Sequence, residues 1–316
     1  MATGALIGKF MPPHDGHLFL LDFAGHFVES LTLFISVEEG DPISGELRAY
    51  WASELFPYCR IDLVDLPLLE EASGEWSQAI EQRLGRTPDY LFSARRLGVD
   101  LASRLGSHLV TVEPPMASVE LESRAIDANP AAHWERLPPM IRPHYLKRVC
   151  VFGPESTGKS TLCQRLAQHF RTVAVPEYSR LYLEHKQGRY QLEDVIPVAR
   201  GQRALEETFA RRAGKVLFCD TDMLTTKIWS DWLFGQTDPW IEKAIAGERH
   251  HLYLLTSADV PWVEDPVRYL PNDRHNFEER CEQELRRYGR RFVRISGDWE
   301  KRFETAVKAV EELLRE

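Results

Sequence analysis

Short apolar runs alternate along this chain with longer stretches in which apolar residues recur at helical spacing. In the first half, runs at 4–8, 31–37, 60–64, 90–93 and 108–112 read as strands. In the second, the runs at 149–152, 172–176, 215–222, 252–255 and 292–295 do the same. Helical spacing begins at Leu18 and Trp76 and covers 45–56, 162–170, 195–206, 276–288 and 300–315. Strands that alternate with helices in this way predict an α/β protein with parallel sheets flanked by helices. Three prolines in 133–148 break the periodicity and favour an extended path. A boundary near residue 145 follows, with domains at 1–145 and 146–316, which suits a chain of 316 residues. Trp134 and Tyr145 are expected to pack one domain against the other.

Composition narrows the class. The chain is 43% hydrophobic and 28% charged, ordinary for a soluble globular protein. The net charge of -9 argues against a general nucleic-acid binder, because phosphate neutralisation needs a basic surface. No DNA partner is expected. No long apolar run predicts a membrane span, and the first residues lead into a strand rather than into a signal peptide. The five cysteines are scattered, without a CxxC pair, and read as reduced core residues of a cytoplasmic protein. No zinc site is expected. The oligomeric state stays open, a homo-oligomer included.

The candidate chemistry centres on GPESTGKS at 153–160, which fits the phosphate-loop pattern GxxxxGK[ST] between a strand and a helix. Backbone N–H groups in such a loop form an anion cradle, and the helix N-terminus adds partial positive charge. Gly153, Glu155, Ser156, Thr157, Gly158, Lys159, Ser160 and Thr161 are the candidate ATP-binding residues. Lys159 would reach the β- and γ-phosphates, and Ser160 would ligate Mg²⁺. Asp220 ends an apolar strand, the place of a carboxylate that holds Mg²⁺ or its water shell. Glu177, Tyr178 and Arg180 follow another strand end, where ligands sit in parallel α/β sheets. Either Glu177 or Asp222 would take the acceptor's proton, and Glu177 is preferred because its strand end faces the acceptor. Arg268 and Arg274 sit in a segment that reads as a lid and would stabilise charge on the transferring phosphoryl group.

In the first half, Gly8, Lys9 and Phe10 lead into His14-Asp15-Gly16-His17 where a strand hands over to a helix. Imidazoles and helix N–H groups converge there, which suits an anion as well as a plain histidine-bearing loop. This segment resembles the HxGH signature of the nucleotidyltransferase superfamily. The whole layout resembles the NadR family, through that signature and through GPESTGKS, PEYSR at 176–180, DTDMLTT at 220–226 and DVPWVEDPVR at 259–268. The resemblance covers nearly the full chain. It implies a nucleotidyltransferase-like Rossmann-type domain followed by a P-loop kinase domain that phosphorylates nicotinamide riboside with ATP to nicotinamide mononucleotide. It also implies that Trp262 stacks on the nicotinamide ring, a cationic pyridinium suited to an indole face. The family's helix-turn-helix segment is not expected ahead of an HxGH that begins so near Met1.

The resemblance departs at one point. The family carries a second signature, roughly ISxTxIR, whose arginine grips ATP phosphates. Here Glu122-Ser123-Arg124-Ala125-Ile126-Asp127 puts Asp127 at the arginine position and Arg124 at the threonine position. A carboxylate there repels phosphate. Ser93-Ala94-Arg95-Arg96 also departs from the family's segment after the fourth strand. The expectation is therefore an active C-terminal kinase. Two rivals stand beside it: a bifunctional enzyme that also adenylylates nicotinamide mononucleotide to NAD, and an N-terminal domain that binds NAD, ATP or the mononucleotide without turnover.

Overall fold

The computed structural model describes residues 1–93, 96–112, 119–187, 189–247, 250–265 and 272–316. The chain forms two compact units, Met1–Arg142 and Pro143–Glu316. The first holds β1 (Thr3–Gly8), α1 (Asp15–Phe27), β2 (Ser30–Ser36), α2 (Gly45–Leu55), β3 (Arg60–Val64), α3 (Ser73–Leu84), β4 (Tyr90–Phe92), α4 (Arg96–Leu105), β5 (His108–Val110) and α5 (Val119–Ala128). A short helix, α6 (Arg142–Tyr145), lies at the boundary and opens the second unit. There follow β6 (Lys147–Phe152), α7 (Lys159–His169), β7 (Ala174–Val175), α8 (Tyr178–His185), α9 (Val195–Ala210) and β8 (Val216–Asp220). The chain ends with α10 (Met223–Phe234), α11 (Pro239–Ala246), β9 (Leu252–Thr256), α12 (Arg274–Arg287), β10 (Phe292–Ile295) and α13 (Trp299–Arg315).

Each unit has one five-stranded sheet, and all strand pairs are parallel. The orders are β3-β2-β1-β4-β5 and β10-β9-β6-β8-β7. In both, the order reverses beside the first strand of the unit, so a crevice opens at the carboxyl ends of β1 and β4 and again at those of β6 and β8. Period-two packing explains the near-continuous apolar runs. Val149 and Val151 of β6 face α7 and α13, whereas Cys150 and Phe152 face α9, α10 and α12. In the first unit Ala5 and Ile7 pack towards α3 and α4, and Leu6 packs towards α1 and α2. All five cysteines are free and buried. Among the described residues, no helix is long and apolar enough to cross a membrane.

Several helices escape the periodicity. α10 is buried on every side through its first two turns, so its apolar residues show no single stripe. Asp222 caps its start, and Gly235 ends it at φ 68°. α1 begins at Asp15, a turn before the first apolar residue of its pattern, because His14 caps it by accepting from the Gly16 N–H.

A buried polar group lies between β8 and α9. Ligating atoms of Glu206, Cys219 and His250 all fall within 4.8 Å of one another. Arg148 Nη1 sits 3.8 Å from Glu206 Oε2, and His250 Nε2 is 3.5 Å from the same oxygen. Burial and the nearby Asp222 push the Glu206 carboxyl up to about 8, against the pull of Arg148. Burial, with Arg148 and Arg290, pushes His250 down to about 3. Both groups are therefore neutral near pH 7, a low-cost state for an enclosed pair.

The sign of the pH dependence follows. Above about pH 6.5 the unfolded chain has released the Glu206 proton that the folded chain keeps, so stability falls as the pH rises to about 8, by about 1 kcal/mol per pH unit. Between about 4.5 and 6.5 the neutral His250 contributes the opposite slope and the two offset each other. Glu206→Gln should flatten the alkaline decline in denaturant midpoint between pH 6.5 and 8; an unchanged slope would assign that decline to other groups.

Candidate active site

The P-loop runs from the end of β6 to the start of α7. Gly153 (φ 134°), Ser156 (φ 56°) and Gly158 (φ 79°) carry the left-handed backbone that turns successive N–H groups inward. At Gly153 a Cβ would lie 2.7 Å from the Thr256 carbonyl oxygen, so this glycine serves close packing against β9. The Thr157 hydroxyl donates to the Pro154 carbonyl (2.8 Å) and pairs with the Thr256 hydroxyl (2.7 Å). Arg302 of α13, 2% exposed, donates to the carbonyls of Thr157, Ser257 and Gly297 and to the Asp259 carboxylate. One guanidinium thus fixes the loop to the ends of β9 and β10.

A cleft opens from this loop. Glu155, Ser156, Thr157, Gly158, Lys159, Ser160 and Thr161 form one side, and Glu177, Ser179, Arg180 and Gln202 form another. Leu183, Tyr190, Val198, Trp229 and Leu233 complete it with an apolar and aromatic wall. Lys159 Nζ donates to the Pro154 carbonyl at 2.8 Å, folded on its own loop. Glu177 stands before α8, and its Oε1 accepts the Ser179 hydroxyl at 2.7 Å. Arg180 pairs with Asp265 (2.7 Å) and Glu184 (3.2 Å), and the Asp265 hydrogen bond raises its already high pKa.

Asp220 lies behind the cleft wall at the end of β8, 4% exposed. Its Oδ1 meets no hydrogen-bond donor among the described residues. Burial and then the charge of Glu177 push its carboxyl up to about 6, while Lys159 and the Ser160 hydroxyl act the other way. A buried carboxylate oxygen without a donor, beside a hydroxyl at the helix start, is a donor set that fits a hard divalent cation. Ser160 and Asp220 are the residues that would hold Mg²⁺.

The structure moves other expected site residues elsewhere. Asp222 is fully buried; its Oδ1 accepts from the Thr225 N–H (2.9 Å) and hydroxyl (3.1 Å), and its Oδ2 accepts from Tyr253 (2.7 Å). It is a helix cap that does not line the cleft, which corrects the expectation of a catalytic Asp222. Tyr178 packs its ring on Gly201 of α9 rather than facing the cleft, since even a Cβ at Gly201 would strike it at 2.1 Å. Trp262 lies under the Arg274 guanidinium (5.6 Å from the ring centre), outside the cleft lining. The attraction of a guanidinium to an indole face accounts for that placement. Arg274 also donates to the carbonyls of Val260 (2.9 Å) and Ser156 (3.4 Å), and the Val263 N–H donates to Ser156 Oγ (2.8 Å). The 260–263 segment is thereby tied to the P-loop. Arg268 lies outside the described residues.

The first unit has its own cavity at the ends of β1 and β4. Gly8, Lys9, Phe10, His17, Ser123, Arg124 and Asp127 line part of it. His14 sits just behind, fully buried, with Nε2 2.9 Å from the Ser123 hydroxyl. The His14 and His17 rings meet at a tilt of 55° with centres 4.1 Å apart, and Phe10 lies against His17 at 4.4 Å. Lys9 Nζ is held by Glu38 (2.8 Å) and Asp41 (2.9 Å). Buried Arg48 pairs with Asp41 and donates to the Lys9 and Ser36 carbonyls. Burial works against the Asp41 charge, but Lys9 and the Glu38 N–H hold its carboxyl below the usual range. Ala94 and Arg95 lie outside the described residues.

Comparison with known proteins agrees with both halves. The AAA domain family matches residues 148–302. The trifunctional NAD biosynthesis/regulator protein NadR of Escherichia coli (strain K12) is 28% identical over 99% of this chain and 83% of its own length. Its counterpart in Salmonella typhimurium is 27% identical over the same shares. The chain is related to NadR over nearly its whole length. A crystal structure of NadR in complex with NR superposes with a TM-score of 0.86 over 98% of this chain and 95% of that one, at 23% identity. A NadR structure with NAD and AMP-PNP gives 0.83 over 98% and 96%. The fold is thus that of the NadR structures: two units, each built on a parallel five-stranded sheet flanked by helices, the second carrying the P-loop.

Arg302, Gln202 and the aromatic wall were not legible as site residues. Arg302 belongs to an amphipathic helix far along the chain from the loop it braces. Arg302→Met should lower stability by about 2–4 kcal/mol in denaturant titration, because three carbonyls and a carboxylate lose their buried donor. A loss under 1 kcal/mol would mean that water replaces it.

Proposed function

We propose that the C-terminal unit is an ATP-dependent kinase that phosphorylates nicotinamide riboside to nicotinamide mononucleotide in NAD salvage. The observation that carries this reading is the cleft itself, with a P-loop on one side, Glu177 on another and the Tyr190 and Trp229 aromatic wall beyond. The names of the NadR relatives and the NR and AMP-PNP complexes support the choice of acceptor and donor.

In this reading the loop N–H groups and Lys159 hold the β- and γ-phosphates, and Lys159 leaves the Pro154 carbonyl to do so. Glu177, oriented by Ser179, accepts the proton of the riboside 5′-hydroxyl as the phosphoryl group transfers. Arg180 stands on the same side, paired with Asp265 and Glu184. An aromatic wall suits a cationic pyridinium. Bound Mg²⁺ supplies charge neutralisation across the transferring phosphates, and Ser160 and Asp220 would hold it. Positioning and charge suffice for this chemistry, so no covalent nucleophile is required.

For the N-terminal unit we favour nucleotide binding without adenylyl transfer. Lys9 is already neutralised by Glu38 and Asp41, and Asp127 stands in the cavity wall. Such a site is a poor host for a triphosphate. The rival is adenylylation of nicotinamide mononucleotide to NAD, with Arg124 on the phosphates.

Incubation of the full chain with Mg-ATP and nicotinamide riboside, with products resolved by chromatography, tests both units. ADP and nicotinamide mononucleotide should accumulate in step without NAD. NAD would revive adenylyl transfer, and the absence of both products would sink the kinase reading. Glu177→Gln should lower kcat by about 10²–10⁴ with little change in the KM for ATP. A kcat within about threefold of wild type would remove Glu177 from the role of base.

A further inference from the structure

Beside the P-loop lies a shallow depression that the mechanism above does not use. It shares Thr157, Gly158 and Thr161 with the cleft and is completed by Arg165, Trp299 and Arg302. Trp299 opens α13, directly after the turn that follows β10. Its indole is 53% exposed although a large aromatic ring gains from burial. The ring is nonetheless held in place. One edge rests on the Gly158 backbone, where a Cβ would lie 2.4 Å from Cζ3, and the Arg302 guanidinium lies 5.5 Å from the ring centre. Arg302 is itself fixed by the Thr157, Ser257 and Gly297 carbonyls. Arg165 is committed to Glu300 and to the Phe303 ring, so the depression has little unpaired charge.

A rigid, half-open indole at the mouth of an anion cradle is a stacking surface. A ligand whose phosphates fill the loop carries its base within a few bond lengths of that mouth. We propose that Trp299 is the platform for the purine base of the donor nucleotide, with the ribose passing Gly158 and Thr161 on its way to the loop. The inference rests on reading the loop as the ATP site, and it adds the element that distinguishes a nucleoside triphosphate from a bare polyphosphate. Gly158 then has a second duty besides its positive φ. Without a side chain it lets the indole approach the loop closely enough for base and phosphates to be held together.

The test compares two ligands on the full-length protein by calorimetric titration: Mg-ATP, and inorganic tripolyphosphate with Mg²⁺, which has no base. The signal abolished by Lys159→Ala defines binding at the P-loop. Trp299→Ala should weaken ATP about tenfold and leave tripolyphosphate within about twofold, because stacking on an aromatic ring is lost while the cradle is kept. Trp299→Phe should stay within about threefold of wild type for both ligands. Trp299→Leu keeps apolar bulk over Gly158 but has no π face, and should again weaken ATP selectively. Parallel weakening of both ligands would make Trp299 a buttress of the loop and overturn the platform. So would unchanged ATP affinity in the alanine and leucine variants. No acceptor is present in these titrations, so either result would leave phosphorylation of the riboside standing. Wild-type protein that binds no ATP through Lys159 would overturn the inference and the kinase reading together.

Discussion

The C-terminal unit depends on a backbone shape that the chain would not hold alone. Gly153, Ser156 and Gly158 adopt positive φ, and the reward for that conformation, a row of inward N–H groups, is collected only when an anion arrives. The rest of the unit holds the loop ready. Thr157 and Thr256 lock hydroxyl to hydroxyl, β9 leaves no room for a side chain at Gly153, and Arg302 ties the loop carbonyl to two neighbouring strand ends. Arg302 is buried and satisfied on every side, so its desolvation is offset by charge-assisted bonds. Preorganisation of this kind lowers the ordering cost that binding would otherwise carry.

Three carboxylates near the end of β8 show how environment divides labour among like residues. Glu177 is half-buried in the cleft wall and held by one hydroxyl, which leaves it capacity to accept a proton. Asp220 is enclosed with an oxygen that no donor meets, so a cation suits it. Asp222 is saturated by Thr225 and Tyr253, and its work is to start α10. Gln202 links this set, accepting the Tyr178 N–H while its amide points to Thr221 and Glu206. Behind it, Glu206 and His250 are both neutral near pH 7 beside the Arg148 guanidinium.

The two units share a design, with ligand sites where strand order reverses, yet their electrostatics differ. In the C-terminal unit Lys159 rests on a carbonyl, which gives up a cation at small cost. In the N-terminal unit Lys9 rests on two carboxylates, and Arg48 is spent on holding that arrangement. Displacing a carboxylate pair with a triphosphate replaces one anion by another and gains little. In the proposed reading this contrast, more than the identity of residue 127 alone, separates the ATP loop from the N-terminal cavity.

Local signals in the sequence were enough for the sheets, the P-loop and the candidate carboxylates. A strand buried on both faces needs an apolar run, a phosphate loop needs its glycines at fixed spacing, and both constraints act over a few residues. The central strands were legible for that reason, and the part-exposed edge strands β3, β5 and β10 through shorter apolar runs between turns. Helices α4, α5, α6, α8, α10 and α11 were not: several are short, and α10 buries its first two turns on every side and shows no single stripe, although α4 does carry one in Leu97, Leu101 and Leu105. Roles that depend on distant neighbours were also beyond reach. Asp222 and Asp220 are two residues apart and look alike in sequence; only the partners supplied by Thr225, Tyr253 and Ser160 separate them. Trp262 reads as a stacking residue in sequence, and only the fold shows Arg274 against its ring. Trp299, Arg302 and the wall of Tyr190 and Trp229 gain meaning only when α8, α9, α10 and α13 converge on the loop. Sequence determines which residues can do chemistry through local rules of spacing and polarity. Tertiary packing decides which of them do, because burial, partner count and the approach of remote side chains set the charge and the exposure of each group.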